Sequence, residues 1–526
     1  MLPIALIALA LPPAAPPAQS DSADASPQRR AVWVALADKP LPKGGVRPEH
    51  TPLTKRALDR RARLRLEQGL VDGRDLPIDP ARVAAILATG ADYRAQSRWL
   101  NGVSVEATDA EIDAILRLPF VSALWPLRAS REPMPPSPAA LEGGVAGGSY
   151  GFMDAQLMQI DVPSMHARGF HGEGMVIGVL DTGFHRVHEA FHSAKHPLSV
   201  LAEWDFVDQD ASTGIDPGDP GDQHHHGTWI LGTLAAYQPG AAVGAAYRAQ
   251  FVLAKTEVVS TETVVEEDYY AAGLEFIEAQ GADLATSSLG YIDWYTPAQL
   301  DGLTAITTRA VNIATANGLV CLTAAGNSGN DADPATLRII APADAFDVIA
   351  CGATDASGAT AWFSSDGPSA DGRVKPEVLA RGVAVASVHS SNATGYQSVS
   401  GTSLSTPLVA GATALLMQAR PELTVSGVRA ALMGTASDFV QNGAADPAFV
   451  RGYGVISALR AARTNRAAED TNLDGAVDAQ DIAALLSQWG SCIDPDPLTG
   501  ACICDFNADG AIDAADLARL LSAWGG

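Results

Sequence analysis

Cysteine is scarce in this chain, with five residues among 526. A disulfide scaffold is therefore excluded as the main source of stability, which must come from a buried apolar core. Cys321 and Cys351 sit in the apolar runs LVCLTAAGN and DVIACGAT, where a buried thiol is the expected state. Cys492, Cys502 and Cys504 cluster near the C-terminus, where one pair can form a disulfide in an oxidising compartment. Zinc suits that cluster less well, because no histidine follows His389. Basic residues are also few. Against 60 Asp and Glu stand 35 Lys and Arg, a net charge of -25, which argues against nucleic acid and anionic membranes as partners. Long apolar runs are confined to the start. MLPIALIALAL (1–11) leads into Pro- and Ala-rich sequence ending near Ala18 and reads as a secretory signal over 1–18, although no Lys or Arg precedes it. Nothing later approaches the ~18 uninterrupted apolar residues of a membrane span. The expected location is secreted, extracellular or cell-surface associated.

What the chain does contain is globular. Hydrophobic residues make up 47% and glycine and proline are spread along its length, and 526 residues suggest two to four domains. The charge is uneven. Residues 27–131 hold 18 of the Lys and Arg and 12 of the Asp and Glu, a balance of +6, so the remainder carries -31 and can attract that segment. Within 27–128, Ala31–Leu36 alternates as a strand and Leu53–Leu70 is a basic amphipathic helix. Val103–Val105 and Val121–Leu127 read as further strands, and Asp109–Leu118 as a helix capped by Asp109. A linker rich in proline and glycine follows at 129–150, exposed to cutting.

From 151 to 463 strand and helix alternate. MVIGVL (175–180), QFVLAK (250–255), DLATSSL (283–289), GLVCLTAA (318–325) and DVIACGA (347–353) are continuous apolar runs suited to a buried parallel sheet. Helical stretches at Gly227–Ala236, Tyr269–Gln280 and Gly302–Asn317 lie between several of them. The fold class that follows is α/β, three layers around a mostly parallel central sheet, with a functional site beyond the C-terminal strand ends. A small α+β unit precedes it and a small all-α module follows it.

One stretch organises the site. Gly401-Thr402-Ser403-Leu404-Ser405-Thr406-Pro407 presents a hydroxyl at the start of an apolar helix, whose positive end stabilises developing negative charge. A helix cap is the ordinary reading of such a turn. Three upstream segments outweigh it: Gly178-Val179-Leu180-Asp181-Thr182-Gly183, His226-Gly227-Thr228, and Ala324-Ala325-Gly326-Asn327-Ser328-Gly329. Together and in this order, Asp then His then Ser, the four resemble the signature segments of the subtilisin-like serine proteases. The resemblance implies that His226 takes a proton from Ser403, that Asp181 orients His226, and that Asn327 with the Ser403 N–H binds the oxyanion. His224 and His225 adjoin His226, and only the frame before Gly-Thr selects among the three. By the same resemblance Ser288, Leu289 and Gly290 form a substrate-binding edge, and Ala324, Ala325 and Gly326 the facing wall. Small residues on both sides leave a roomy slot, which favours a large hydrophobic side chain before the cut. Trp229, Leu404 and Tyr291 depart from the commonest family pattern, and the last bears on substrate preference. The run from Tyr93 to Arg128 resembles the inhibitor-type prosegment of these enzymes. Together these imply a secreted serine endopeptidase, made as a zymogen, with protein or peptide substrates, its own propeptide as inhibitor, and no cofactor for catalysis.

The last residues hold a repeat, DTNLDGAVDAQDIAALLSQWG (470–490) and DFNADGAIDAADLARLLSAWG (505–525), set off by a short bridge, Ala461–Ala468. Asp470, Asn472, Asp474, Asp478 and Asp481 occupy positions 1, 3, 5, 9 and 12 of a calcium loop, with Ala476 supplying a carbonyl. Asp505, Asn507, Asp509, Ala511, Asp513 and Asp516 repeat the set. With Asp at position 12, the duplication and a helix after each loop, residues 469–526 resemble dockerin modules, which implies structural calcium and a cohesin-like or cell-surface partner. The acidic loop Asp205–Asp222 reads as a solvated stretch before it reads as a cation site. The competing function is a weak or inactive scaffold of the same family serving calcium-dependent attachment. Retention of all four catalytic residues favours the enzyme, and the peptide-binding edge disfavours an ester hydrolase.

Overall fold

The computed structural model describes residues 29–65, 69–126, 139–141, 149–259, 265–292, 295–490, 502, 504–507 and 509–525. The leader expected at 1–18, most of the linker at 129–150, and Cys492 lie outside the described residues. Continuous apolar runs form the central sheet, because a strand covered on both faces needs no polar alternation. Its strands are β5 (Val176–Asp181), β6 (Ser199–Asp205), β7 (Gln250–Lys255), β8 (Leu284–Ser287), β9 (Val320–Ala324), β10 (Ile349–Thr354) and β11 (Val378–Arg381). They lie in the order β11-β10-β9-β8-β5-β7-β6, all parallel. Successive side chains take opposite faces. Ile177 and Val179 enter one core with helices α4 (His225–Ala235) and α7 (Thr402–Ala419); Val176 and Leu180 enter the other with α5 (Val265–Gln280) and α6 (Ile306–Ala316). Cys321 and Cys351 are buried free thiols in these cores. No described helix is long and apolar enough to cross a membrane.

The N-terminal unit is a four-stranded antiparallel sheet of β1 (Arg30–Leu36), β2 (Asp92–Ser97), β3 (Gly102–Ala107) and β4 (Val121–Pro126), in the order β2-β3-β1-β4. Helices α1 (Lys55–Leu64), α2 (Pro80–Leu87) and α3 (Asp109–Leu116) accompany it. The helix expected to reach Leu70 ends at Leu64, with Arg65 as its C-cap. Asp109 does not cap α3. Thr108 does, accepting from the Glu111 N–H at 3.3 Å while Glu111 accepts from the Thr108 N–H at 2.7 Å. The α2 helix and β2 are additional to the expected elements, although Asp79-Pro80 is a cap followed by an N1 proline.

This unit docks on α5. Val32, Val34, Val103 and Val105 fill its own core, while Trp33, Trp99 and Leu100 pack into the core shared with α5 and α6. Its arginines meet the acidic side of α5: Arg60 pairs with Glu278, Arg61 with Glu278 at 2.8 Å, Arg94 with Asp268 at 3.3 Å, and Arg98 with Glu275 at 3.2 Å. Arg56 pairs with Asp283 just beyond the helix. The excess positive charge of residues 27–131 is thus spent largely on one helix of the acidic body.

The C-terminal repeat does not stand apart across a bridge. Residues 458–463 form a helix, α8 (Ala458–Arg463), inside the main core. Leu473, Val477, Phe506 and Leu520 of the repeat share that core with α7 and α8. The Arg168 Nε donates to the Thr471 carbonyl at 2.9 Å, and Arg466 to the Ala419 carbonyl at 3.1 Å. Each loop ends in its expected helix, α9 (Ala479–Ser487) and α10 (Ala514–Ser522). Cys502 is disulfide-bonded, whereas Cys504 is a buried free thiol.

Replacing Glu278 by Gln would leave Arg60 buried beside a neutral partner, while Arg61 keeps Asp75 at 2.8 Å, a loss of about 3–5 kcal/mol for a broken buried pair. Hydrogen-exchange protection of β1 to β3 is expected to fall by about two orders of magnitude or more in Glu278→Gln, while β5 to β10 keep theirs. Unchanged protection in β1 to β3 would show that the ion pairs do not hold the unit in place.

Candidate active site

Two loops meet at the C-terminal end of β5. Asp181 closes that strand and is fully buried, and His226 lies in the first turn of α4. The His226 Nδ1 is 2.7 Å from Asp181 Oδ1, which also accepts the Thr182 N–H at 2.8 Å. A carboxylate on Nδ1 places the ring proton there and leaves Nε2 as the basic nitrogen. The loops are cross-locked by hydroxyls. Gly227 N–H donates to Thr182 Oγ1 at 3.2 Å, and His185 N–H donates to Thr228 Oγ1 at 2.8 Å. Gly227 is required for this approach: a Cβ there would lie 2.2 Å from the Gly183 carbonyl oxygen and 3.1 Å from Asp181 Oδ1.

The three adjacent histidines have separate fates. His225 Nε2 meets Ser391 Oγ at 2.6 Å. His224 is buried against the His185 and His225 rings, and burial lowers it to about 4, so it stays neutral. Only His226 of the three bonds Asp181.

Ser403 arrives on α7, which shares a core with α4. It is the second residue of α7, whose first N–H groups have no intrahelical acceptor. Its Oγ donates to the Ser288 carbonyl at 3.2 Å, and Ser288 Oγ returns a bond to the Ser403 carbonyl at 2.7 Å. Asn327 follows β9. Its Oδ1 accepts from the Thr402 N–H at 2.9 Å and from Thr402 Oγ1 at 3.1 Å, which turns the amide nitrogen to the side away from Thr402. Thr402 is therefore a positioning residue that the motif contains but that sequence reasoning left without a role. Ser288–Gly290 follow β8, and Ala324 closes the neighbouring strand β9 ahead of Ala325 and Gly326; of these six, Ser288 is bonded to Ser403.

The departures from the family pattern are packing changes. Trp229 Nε1 donates to Gln397 at 2.9 Å, and Leu404 is fully buried. Tyr291 is buried too, and its hydroxyl donates to Glu257 beneath the edge. Burial, followed by the Glu266 charge, holds the Glu257 carboxyl well above the usual range.

The acidic loop is not simply solvated, as its composition suggested. Lys255, at the end of β7, is fully buried and reaches Asp205 at 2.8 Å, Asp208 at 3.0 Å, and Asp216 and Asp219 at 3.3 Å each. The carboxylates of Asp205, Asp208 and Asp216 lie close enough together to hold a metal ion, and an ammonium sits among them. Burial raises Asp205 to about 6 despite that contact. Lys255 pairs in register with Asp181, so the same cation ties the loop to the strand end that carries the carboxylate.

The calcium ligands expected in the repeat accept the same backbone bonds in both copies, and Asp470 of the first also pairs with Arg466. Asp470 accepts from the Asp474 and Gly475 N–H groups at 3.1 and 3.0 Å, and Asp505 from those of Asp509 and Gly510 at 3.1 and 2.9 Å. Asp481 and Asp516 are buried and each accepts backbone N–H groups from the start of its own loop. Asn472 and Asn507 lie beside Asp474 and Asp509, while Asp478 and Asp513 cap the following helices. The donor set consists of oxygen only, carboxylate, amide and the carbonyls of Ala476 and Ala511, which fits a hard cation such as calcium.

The chain is similar to known proteins along most of its length. Residues 172–455 match the subtilase family model, residues 31–137 the peptidase S8 propeptide domain of Bacteroidota, and residues 468–523 the dockerin type I domain. The chain is 32% identical over 306 residues to subtilisin DY of Bacillus licheniformis, covering 58% of this chain and 96% of that protein. It is 33% identical over 285 residues to subtilisin Savinase of Lederbergia lenta, covering 53% and 90%. Among solved structures, fervidolysin from Fervidobacterium pennivorans, a keratinolytic enzyme related to subtilisin, shares the fold with a TM-score of 0.57 at 21% identity. That likeness covers 84% of this chain and 62% of the other.

Lys255→Met keeps the stem and removes the ammonium, leaving four carboxylates unneutralised around it. The expected cost is about 3–5 kcal/mol, read as a clear drop in the thermal midpoint. An unchanged midpoint would show that the cluster is solvated after all.

Proposed function

The chain belongs to the subtilase family of serine endopeptidases, and from that premise we propose that Asp181, His226, Ser403 and Asn327 perform its peptide hydrolysis. The His226 Nδ1 to Asp181 Oδ1 contact of 2.7 Å carries the reading, because it fixes Nε2 as the proton acceptor. Ser403 Oγ attacks the scissile carbonyl carbon as its proton passes to Nε2, and the buried Asp181 charge stabilises the imidazolium. The carbonyl oxygen becomes an oxyanion, which the Ser403 N–H and the Asn327 amide stabilise. In subtilisin, a member of the same family, loss of the corresponding amide is known to cost about 10²–10³ in rate. His226 then protonates the leaving amine, and water repeats the sequence on the acyl-enzyme with His226 as base again. Peptide edge pairing at Ser288–Gly290 and the wall at Ala324–Gly326 would align the substrate.

The N-terminal unit is read as an inhibitory propeptide covering 27–128, followed by a linker open to cutting, so that the enzyme is made as a zymogen. Its docking on α5 supports this, as does the place where the described chain resumes. Residues 139–140 pair with β12 (Tyr396–Val399), the strand that leads into Gly401 and Ser403. A leader at 1–18 and a dockerin module at 469–526 favour a secreted, surface-associated protein with a cohesin-type partner. Calcium, when bound, would supply the positive charge that Asp470, Asp474, Asp481, Asp505, Asp509 and Asp516 need at close quarters. The Asp181–His226 contact speaks against the scaffold alternative.

Ser403→Ala is expected to abolish hydrolysis of a denatured protein by about 10⁴-fold or more, together with labelling by a serine-directed phosphonate. Wild-type turnover in that variant would overturn the assignment. Calcium is expected to raise the thermal midpoint of the full chain and EGTA to lower it, because the loop carboxylates repel one another without a cation. Asp474→Ala combined with Asp509→Ala should remove the shift. A calcium response that survives in the double variant would place the calcium elsewhere.

A further inference from the structure

The strands β8 and β9 are parallel neighbours, and Ser288–Gly290 and Ala324–Gly326 continue from their C-terminal ends. The proposed function takes these two segments as the walls of a slot for the residue before the cut, and Ser403 Oγ donates to the Ser288 carbonyl on one of them. A third segment is bonded to both. Tyr291 N–H donates to the Ala341 carbonyl at 2.9 Å and Ala341 N–H returns a bond at 3.0 Å. Ile340 N–H donates to the Ala325 carbonyl at 3.2 Å. The segment is therefore stitched to both walls.

The side chain of Ile340 lies between them. A Cβ built on Gly290 would fall 2.0 Å from Ile340 Cδ1 and 2.4 Å from Cγ1. One built on Gly326 would fall 2.7 Å from Ser365 Oγ, 3.0 Å from Ile340 Cγ2 and 3.3 Å from Cδ1. A single side chain thus lies against both glycine faces, and it is fully buried. Isoleucine is stiff at χ1, and with its backbone bonded on both sides it has little freedom to withdraw.

We propose that Ile340 is a specificity-determining residue that fills the inner end of this slot, so that the enzyme cuts after small residues, alanine and glycine, and not after large hydrophobic ones. This deepens the proposed function and rests on its assignment of Ser403 and of the two walls. It reverses the preference that the small residues of those walls suggest on their own. An aromatic ring before the scissile bond needs the space between the glycines, and forcing it against a packed isoleucine costs as overpacking does. A methyl group needs none of that space. The pocket consequently discriminates by size through one residue that belongs to neither wall motif.

The test uses the mature enzyme on tetrapeptide anilides that differ only in the residue before the cut. For the wild type, kcat/KM with alanine should exceed that with phenylalanine by about tenfold or more, the scale on which apolar pockets discriminate by size. Ile340→Gly should raise the phenylalanine-to-alanine ratio by about tenfold or more, and Ile340→Ala, a smaller change to the packing, should raise it in the same direction. A wild type that prefers phenylalanine, or a ratio unmoved in both variants, overturns the proposal while leaving serine catalysis intact. Failure of the wild type to cut any of the anilides, with Ser403 unlabelled by the phosphonate, overturns the proposed function and this inference with it.

Discussion

The site depends on a contact that only glycine permits. The backbone of Gly227 lies so near the Gly183 carbonyl that any side chain would collide with it, and the Asp181 to His226 bond exists because the two loops come that close. Thr182 and Thr228 then fasten each loop to the other through one hydroxyl apiece. Preorganisation of this kind matters because misplacing a catalytic group by about 1 Å can cost about 10² in rate. The signature Asp-Thr-Gly and His-Gly-Thr segments are therefore two halves of one joint. Their threonines and glycines set the distance at which aspartate and histidine meet.

Charge is organised around the same sheet. An acidic body carrying -31 needs local cations, and two of the places where the chain supplies them lie beside this sheet. Arginines of the N-terminal unit cover the acidic side of α5, on the face of the sheet opposite α4 and α7. Lys255 occupies the centre of the aspartate loop beside β5. Desolvating these ions is costly, and their geometry more than their number makes the pairs tolerable. The arrangement also orders the chain in space: the last described residue of the N-terminal sheet, Pro126, belongs to the α5 side, and Ala139–Ala140 belong to the strand beside Ser403.

Much of this was legible in the sequence, for physical reasons that differ by element. Buried parallel strands need long apolar runs, so β5, β7, β8, β9 and β10 stood out, whereas β6 and β11, shorter or more polar and at the sheet edges, did not. The four residues proposed for catalysis stood out because the chemistry assigned to them calls for flanking glycines and threonines at fixed offsets. Lys255 was not, since nothing within QFVLAK reveals that a side chain will turn into a loop of aspartates that precedes it by some forty residues. Ile340 escaped for the same reason. The walls are local motifs, but what fills the space between them comes from a third segment. The cap of α3 was misplaced by one residue because Thr108 and Asp109 are both competent caps, and only the reciprocal bond with Glu111 chooses between them.

Residues 461–468 are not a free bridge, and their short polar sequence says nothing of what packs on either side of it. In the structure α8 is part of the main core, and the first loop of the repeat begins almost at once beyond it. Arg466 joins the two. It pairs with Asp470, the first ligand position, at 2.9 Å, and it donates to the carbonyl of Ala419 at the end of α7. A cation at that helix end complements the dipole whose positive end lies at Ser403. The repeat shares its apolar core with α7 and is held by Arg168 as well, so it is seated against the body and not tethered at a distance. Attachment through such a module would hold the catalytic site in a set orientation toward whatever surface the partner lies on, since the contacts that orient it are those of a packed core.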